Sequence, residues 1–254
     1  MLTVERKALI LQRLESVGRV VAKEMSLELE LSEDTIRRDL RELAAEGLLQ
    51  RVHGGALPAS KALADLPTRR KVQPADKAAI AKAAAGMIKN GQTVFLDGGT
   101  TAIALARSLA ATDLQATVVT HSPDVAVALH AHGGVEVELI GGRLYKHSNV
   151  TVGAVAIEEI TSIRPDIYFM GVTGIHPEYG LTTGNREEAA VKRAISRQSA
   201  ETVVLASREK LGAVSAHSVV PLDQIDSLLV ARSCPPDLID PFTSLGVSIV
   251  HAGA

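Results

Sequence analysis

The segment from residue 32 to residue 43 has the residue types and spacing of a short amphipathic helix with a cationic outer face. Ser32 is an N-cap residue, whose hydroxyl accepts one of the first free N–H groups of a helix. Ile36, Leu40 and Leu43 recur at helical spacing and predict the side that faces a core. The opposite side carries one hydroxyl and three guanidinium groups, from Thr35, Arg37, Arg38 and Arg41. Such a face suits the major groove of DNA, although the same spacing also describes a solvated amphipathic helix.

Two helices are predicted before this segment and a β-hairpin after it. The expected inner faces of the helices at 4–17 and 20–29 consist of Leu9, Ile10, Leu14, Val17, Val21, Met25 and Leu29. Gly47 is a stop signal for the third helix. Alternating apolar residues and the pair Gly54-Gly55 then predict a small wing that carries Arg51 and His53. Three helices and a wing make a winged helix-turn-helix.

A glycine-rich loop at residues 97–101 has the composition of an anion-binding loop. It reads Asp97-Gly98-Gly99-Thr100-Thr101, follows a predicted strand and opens a predicted helix. Glycines let the backbone approach an anion, and the N-terminus of a helix offers free N–H groups. A plain strand-to-helix turn with a threonine cap has the same sequence, so the loop alone leaves both interpretations open.

Three further loops carry polar residues after predicted strands or turns. Their candidate ligand-binding residues are His121, Gly141, Gly142, Arg143, Thr183, Asn185 and Glu188. The histidine can change its charge with pH, the glycine pair allows a close turn beside a cation, and Asn185 and Glu188 have capping-box spacing. A loop histidine without function and a solvated surface turn are the ordinary alternatives.

From residue 73 the predicted elements alternate between helix and strand. Helices are predicted at 76–89, 101–110, 123–132, 152–163 and 187–199. Strands are predicted at 93–97, 116–120, 135–140, 166–171, 202–206, 227–230 and 247–250. Apolar strands between helices imply an α/β domain with a mainly parallel sheet. Ligands of such sheets bind at the carboxyl ends of the strands, where the candidate loops lie.

Length and composition indicate two domains and exclude several classes of protein. The 254 residues divide into a DNA-binding domain at 1–58, a linker at 59–72 and a domain for effector sensing and oligomerisation at 73–254. The single cysteine, Cys234, excludes a disulfide framework and a cysteine-based zinc cluster. Without a membrane-spanning apolar run, we expect a soluble cytoplasmic protein. The net charge is −2 overall, and residues 1–58 hold nine Lys/Arg against ten Asp/Glu, so DNA contact must depend on local cations.

The run SEDTIRRDLRELAAEGLLQRVHGGA (residues 32–56) closely resembles the winged helix of the DeoR family of bacterial transcriptional regulators. The TIRRDL core and the R-V-H-G-G wing carry the resemblance, which extends over nearly the whole chain. Asp97–Thr101 matches the family's D-x-G-T-T loop, and EEAAVKRA (residues 187–194) matches its E-E-A-x-V-K-R motif. The resemblance implies a sensor domain like ribose-5-phosphate isomerase, with Glu187 or Glu188 and Lys192 near its effector pocket. We expect Lys210 to supply charge to the same pocket. The resemblance also implies a repressor that phosphorylated sugars or related metabolites release.

Three positions depart from the family pattern. His121 stands where the family usually has asparagine, and Gly184 replaces a proline and would loosen its loop. Where the family reads L-A-D-S-S-K-F-G, Ser207 replaces the acidic residue while Lys210 is retained. The lost carboxylate weakens an isomerase interpretation, and Arg208 adds a cation compatible with an acidic effector such as a phosphorylated sugar acid.

We therefore predict a regulator that binds a double-stranded DNA operator as a homodimer or homotetramer. It would repress a sugar or sugar-acid catabolic operon until a phosphorylated sugar or sugar acid binds, and we predict no catalytic residue, cofactor or metal. The alternative is a sugar-phosphate isomerase-like enzyme with an N-terminal interaction module. Its acid–base groups would be Asp97, Glu187, Glu188 and Lys210. An activator rather than a repressor also stays open.

Overall fold

The N-terminal part of the chain forms three helices and a three-stranded antiparallel sheet. The computed structural model describes residues 1–110 and 112–253. Its first elements are α1 (Thr3–Val17), β1 (Val20–Val21), α2 (Ala22–Glu28), α3 (Glu33–Ala45), β2 (Leu49–Val52) and β3 (Gly55–Pro58). The sheet order β1-β3-β2 makes β2 and β3 the predicted wing hairpin. The winged helix is therefore confirmed.

The core of this unit confirms the prediction for α3 and corrects it for the earlier helices. Ile36, Leu40 and Leu43 are buried together with residues of α1 and α2. Leu9 and Val17, expected inside, are 39% and 58% exposed. The predicted second helix begins late because Val20 and Val21 instead form β1, paired with Ala56 and Gly55. β1 covers an edge of the wing hairpin that would otherwise have no partner strand. Helical periodicity is a local pattern, so it does not reveal this pairing with a distant strand.

A buried ion pair connects the first and third helices. Arg6 on α1 donates to both carboxylate oxygens of Asp39 on α3, with a distance of 3.0 Å from Nη2 to Oδ1. The side chains are 6% and 0% exposed. The hydrogen bond to Asp39 raises the pKa of Arg6 against the opposing effect of burial. This pair fixes α3 against α1, since both charged groups are buried.

The rest of the chain forms the predicted α/β domain, preceded by a partly helical connection. The connection holds a short 3₁₀ helix (Lys61–Leu63) and α4 (Leu66–Lys71). The helices that follow are α5 (Pro74–Met87), α6 (Thr100–Leu109), α7 (Pro123–Leu129), α8 (Ala154–Thr161), α9 (Arg186–Gln198) and α10 (Pro236–Thr243). The strands are β4 (Thr93–Leu96), β5 (Ala116–Thr120), β6 (Val135–Leu139), β7 (Arg143–Tyr145), β8 (Val150–Val152), β9 (Ile167–Met170), β10 (Gly174–His176), β11 (Gly180–Thr183), β12 (Glu201–Ala206), β13 (His217–Ser218), β14 (Ser227–Ala231) and β15 (Ile249–Ala252).

Seven parallel strands make the central sheet in the order β15-β14-β12-β9-β4-β5-β6. Apolar clusters cover both of its faces, as the continuous apolar strands predicted. The chain proceeds from β4 toward β6 on one side and from β9 toward β15 on the other. The boundary between β4 and β9 is thus a topological switch point, where a crevice opens at the carboxyl ends of the strands.

Two smaller sheets were not predicted. The strands β10, β11 and β13 form one antiparallel sheet, and β7 pairs with β8 in another. The helix expected at 152–163 starts at Ala154, since Val150–Val152 is a strand. No helix within residues 1–110 and 112–253 is both long enough and apolar enough to cross a membrane.

The Arg6–Asp39 pair gives a stability prediction. Asp39→Asn leaves the buried guanidinium without its anion and should destabilise the winged helix by about 3–5 kcal/mol. Lys7→Met is the control, because Lys7 meets Glu42 and Glu46 at the surface and should destabilise the domain much less than Asp39→Asn. Hydrogen exchange of α1 and α3 peptides, read by mass spectrometry, measures both local opening free energies. Similar small effects in the two variants would show that the buried pair does not hold the domain together.

Candidate functional site

The outer face of α3 and the wing carry the cations predicted to contact DNA. The Ser32 hydroxyl accepts from the Thr35 backbone N–H at 3.2 Å and so caps α3, as predicted. The five basic side chains expected to face DNA, Arg37, Arg38, Arg41, Arg51 and His53, are all exposed. Arg37 differs from the others because it is paired with Glu33 on the preceding turn, with a distance of 2.6 Å from Nη2 to Oε1.

Asp97 is the centre of a buried polar network at the carboxyl ends of β4 and β9. Its Oδ1 accepts from the Gly98 N–H at 2.7 Å, and its Oδ2 accepts from the Gly171 N–H at 2.8 Å and from Lys192 Nζ at 2.6 Å. Burial alone would raise the pKa of Asp97, but the charge of Lys192 and the hydrogen bond from His121 lower it below its usual range. The carboxylate is therefore a fixed negative charge beneath the switch-point crevice.

Two buried rings complete the surroundings of Asp97. His121 Nε2 lies 2.8 Å from Asp97 Oδ1, and its Nδ1 lies 3.0 Å from the Thr151 carbonyl oxygen, so both ring nitrogens face acceptors. The Tyr168 hydroxyl donates to Asp97 Oδ2 at 2.9 Å, and burial together with the Asp97 charge raises the pKa of Tyr168 well above its usual value. His121 is thus part of the support for the crevice and does not line it.

A polar pocket of about 480 Å³, including its open mouth, lies above this network. Seven predicted effector residues line it, namely Gly98, Gly99, Thr100, Thr101, Glu188, Lys192 and Lys210. Gly99 is the N-cap of α6 with a φ of +96°, a conformation that only glycine adopts without strain. The first turn of α6 contains no acidic residue, so no carboxylate of the helix itself competes for the free N–H groups that face the pocket.

Cations outnumber carboxylates in and under this pocket. The cationic side chains are Arg69, Lys77, Lys192 and Lys210, against Asp97, Glu188 and Glu209. Burial lowers the pKa of Lys210 to about 8, because the nearby positive charges add to it and the Glu209 carboxylate only partly opposes it. Burial likewise lowers the pKa values of Arg69 and Lys77. These shifts indicate positive charges that an added anion would stabilise.

The end of β11 and the loop before α9 hold two further predicted residues, Thr183 and Asn185. The Asn185 side chain accepts from the N–H groups of Glu187 and Glu188, both at 3.0 Å, and caps the helix. The Glu188 carboxylate lies instead beside the Thr183 hydroxyl at 3.5 Å and Lys192 at 3.8 Å. Only the N-cap half of the predicted capping box is therefore present, because the Glu188 side chain lines the pocket instead.

The structure does not bring the third predicted loop into this pocket. The Gly141 N–H donates to Glu159 at 2.8 Å, and Gly142 packs beside Val152 and Ala156. Arg143 is 63% exposed and pairs with Glu187 at the surface. These residues therefore support the chain around β7 and β8, the element that sequence periodicity missed.

The loop after β12 corrects a second expectation. Arg208, considered as an effector cation, pairs instead with Asp76 at 2.8 Å from Nε to Oδ2. The loop still has an acidic side chain although Ser207 replaces the family's acidic residue. The Ser207 hydroxyl donates at 2.8 Å to the carboxylate of Glu209, which lines the pocket. A carboxylate is therefore present in this loop, two positions after Ser207.

Sequence reasoning missed several pocket residues, including Arg69 in the connection, Lys77 on α5, Ser148 and Thr173 in loops, and Glu209 in a 3₁₀ turn after β12. Only the basic cluster at residues 69–71 and the lysine at the start of α5 gave a local signal, and both look like solvated charges. Their role depends on tertiary packing that brings the connection over the sheet.

A winged helix followed by a sheet domain with a charged pocket at its switch point defines a two-domain transcriptional regulator. Residues 6–62 match the model of the DeoR-like helix-turn-helix domain, and residues 72–232 match that of the DeoR C terminal sensor domain. The chain belongs to the DeoR family of transcriptional regulators.

Individual proteins agree with this assignment. The chain is 34% identical over 230 residues to the HTH-type transcriptional repressor GlcR of Bacillus subtilis, covering 90% of this chain and 88% of that protein. It is 29% identical to the glycerol-3-phosphate regulon repressor of Escherichia coli over 92% and 93% of the two chains. Ribose 5-phosphate isomerase A of Methanocaldococcus jannaschii is a partial structural neighbour, with 18% identity, a TM-score of 0.40, and coverage of 53% of this chain and 52% of that chain.

The cations predicted to face DNA give a second testable prediction. Arg38→Ala should weaken operator binding by about 1–3 kcal/mol and relax specificity at one position, if Arg38 reads a base. Arg51→Ala should weaken all sequences alike and lower the salt slope by about one unit. Arg37→Ala should cost less than Arg38→Ala, since the Glu33 pair opposes its release to DNA.

Binding isotherms at several salt concentrations measure these effects, with a DNA of scrambled sequence beside the operator. Arg164→Ala is the control, because Arg164 is exposed in the sensor domain and its side chain donates to the carbonyl oxygens of Thr161 and Ile163 in its own turn. Operator affinity equal to wild type in both the Arg38 and the Arg51 variants would remove these residues from the DNA interface.

Proposed function

We propose that this protein is a cytoplasmic repressor of a sugar or sugar-acid catabolic operon, released from DNA by a phosphorylated sugar or sugar acid. The observation that carries the proposal is the pocket at the switch point, where buried cations and the acid-free N-terminus of α6 meet. Helix N-termini and cations both favour phosphate. The resemblance of the chain to a glycerol-3-phosphate regulon repressor supports the same class of ligand.

The pocket offers different chemistry to the two ends of such a ligand. Arg69, Lys77 and the backbone of Gly99–Thr101 suit a phosphate or carboxylate group. Glu188 and Glu209 are acceptors for sugar hydroxyls, with Thr173 as a neutral partner. A phosphorylated polyol or sugar acid satisfies both ends, whereas an unphosphorylated sugar leaves the buried Arg69 guanidinium without an anion.

The proposal assigns no catalytic step to the sensor domain. Asp97 is inaccessible and saturated by donors, so it has no free lone pair to take a proton from a ligand. Glu187, another acid–base candidate, faces the surface and pairs with Arg143. A sugar-phosphate isomerase assay run beside the DNA titration tests the enzyme alternative directly, since turnover would favour it.

Release would act through the connection between the domains. The Ser60 hydroxyl donates to the Thr173 carbonyl oxygen, and Ala62 and Thr173 both line the pocket. Ser60 is two residues beyond the end of β3, so a ligand that shifts this wall also shifts the attachment of the winged helix. We further propose a homodimer or homotetramer assembled through the sensor domain, because repeated half-sites call for paired winged helices.

The glycine at the start of α6 provides the third prediction. Gly99→Val forces a side chain onto a backbone with φ of +96°, which should reorient the first N–H groups of α6 and abolish release by the ligand. Operator affinity without ligand should not change, because the winged helix has its own core. The measurement is fluorescence anisotropy of labelled operator during titration with phosphorylated sugars and sugar acids.

Gly133→Ala is the matched control, since an added Cβ at Gly133 meets nothing within 4 Å and its φ is not positive. It should respond as wild type does. Full release of the operator from the Gly99 variant would mean that the ligand binds elsewhere.

The pKa of Lys210 leads to a pH prediction. With a pKa of about 8 in the free protein, Lys210 is charged below that pH and becomes neutral above it. Phosphate is already a dianion from pH 7 upward, so the affinity for a phosphorylated ligand should fall by up to about tenfold per pH unit above pH 8. Calorimetry between pH 7 and pH 9.5 should show this fall in wild type and a flatter profile in Lys210→Gln. Parallel profiles in the two proteins would exclude Lys210 as the titrating group.

A further inference from the structure

We propose that Arg69, in the connection between the two domains, binds the anionic group of the effector against the first turn of α6. The inference rests on the proposed function and adds to it: the connection itself becomes part of the ligand site. A regulator built this way senses its ligand with the same segment that carries the DNA-binding domain.

The first observation is the state of the Arg69 side chain. Arg69 is only 9% exposed, and its Nε has no hydrogen-bond partner within residues 1–110 and 112–253. Its Nη2 donates weakly to the Ser148 hydroxyl at 3.3 Å and to the His147 carbonyl oxygen at 3.4 Å. Among the described residues, no carboxylate oxygen lies within 4.0 Å of its guanidinium group, so a buried positive charge stands without an ion pair. Such a charge is unfavourable unless an anion compensates it.

The second observation is where this guanidinium lies. A Cβ atom built on Gly99 would be 3.8 Å from Arg69 Nη1, which places the guanidinium group beside the N-cap of α6. Thr100, Thr101 and Ala102 line the same pocket at the first turn of this ten-residue helix. Free N–H groups and a planar cation thus converge on one volume. A tetrahedral oxyanion accepts from both, since the guanidinium fork matches two of its oxygens.

The third observation is how the connection is attached. Asp65 caps α4 by accepting from the Thr68 N–H at 3.0 Å, and the Arg69 carbonyl oxygen accepts from Lys77 Nζ at 2.7 Å. Upstream, the hydroxyl of Ser60 donates to the Thr173 carbonyl oxygen. The pocket therefore has one wall from the sheet domain and one from the connection, and an anion bound by Arg69 joins the two.

The test uses the full-length protein and two simple probes, inorganic phosphate and sulfate, with chloride at equal ionic strength as the reference. Both probes should raise the Tm of the wild type. Arg69→Met should lose this rise, with the affinity for phosphate reduced about tenfold or more, since charge-assisted hydrogen bonds are lost. Arg70→Met is the matched control, because Arg70 is the adjacent residue on α4 and is exposed; it should respond as wild type does.

The Tm in chloride separates this role from a structural one. If Arg69 serves to bind an anion, Arg69→Met removes an uncompensated buried charge. The Tm of this variant in chloride should then equal or exceed that of the wild type. Arg69→Lys should retain part of the phosphate response as a point charge. A lower Tm in chloride for Arg69→Met would assign the side chain to holding the fold and would overturn the proposal.

Limited trypsin digestion reports on the connection itself. Cleavage after the exposed residues Lys61, Arg70 and Lys71 should slow in phosphate for the wild type and proceed at an unchanged rate for Arg69→Met. Equal phosphate protection in the two proteins, or none in the wild type, would also contradict the proposal.

These results can be told apart from those that test the proposed function. If a phosphorylated metabolite releases the operator from wild type and from Arg69→Met at the same concentration, the function holds and the role of Arg69 is wrong. If phosphate binding depends on Arg69 but no metabolite affects the operator, the site is correct and the function is wrong.

Discussion

The buried carboxylate of Asp97 is the interaction on which the sensor domain depends. It has no contact with solvent, yet the adjacent Lys192 and the donors around it keep its pKa low and the group charged. A charge in that position must be fully hydrogen-bonded, and its donors come from separate parts of the chain, including Gly98 after β4, His121 after β5 and Gly171 after β9. The strand ends and α9 are therefore held in one arrangement, and the sheet side of the pocket is preorganised.

A preorganised wall implies that regulation acts on the other wall. The connection at residues 59–72 is this other wall, and it joins directly to the wing at β3. A ligand changes DNA binding only by the difference between its affinities for the two positions of this segment. A coupling of about 1–3 kcal/mol is enough for useful control, and a few charge-assisted hydrogen bonds from the connection to an anion supply that amount.

The sequence predicted those features that local chemistry determines. Ser32 and the spacing of Ile36 and Leu40 specify α3, and apolar strands between helices specify the parallel sheet, because both signals lie within a few residues. Features set by distant parts of the chain were missed. Helical periodicity cannot report that Val20 pairs with the wing, and a basic cluster in a linker does not show that Arg69 is buried against the sheet. The antiparallel strands β10, β11 and β13 are short and were missed for the same reason.

The most direct test of this account is the reciprocity of binding. The phosphorylated sugar or sugar acid that releases the operator is titrated calorimetrically into the free protein and into the protein saturated with operator. If one pocket and one connection couple the two events, the operator complex must bind the ligand more weakly, by the same factor by which the ligand weakens operator binding. Equal affinity of the ligand for the free and the operator-bound protein would contradict the account, because a ligand that does not distinguish the two states cannot release the DNA.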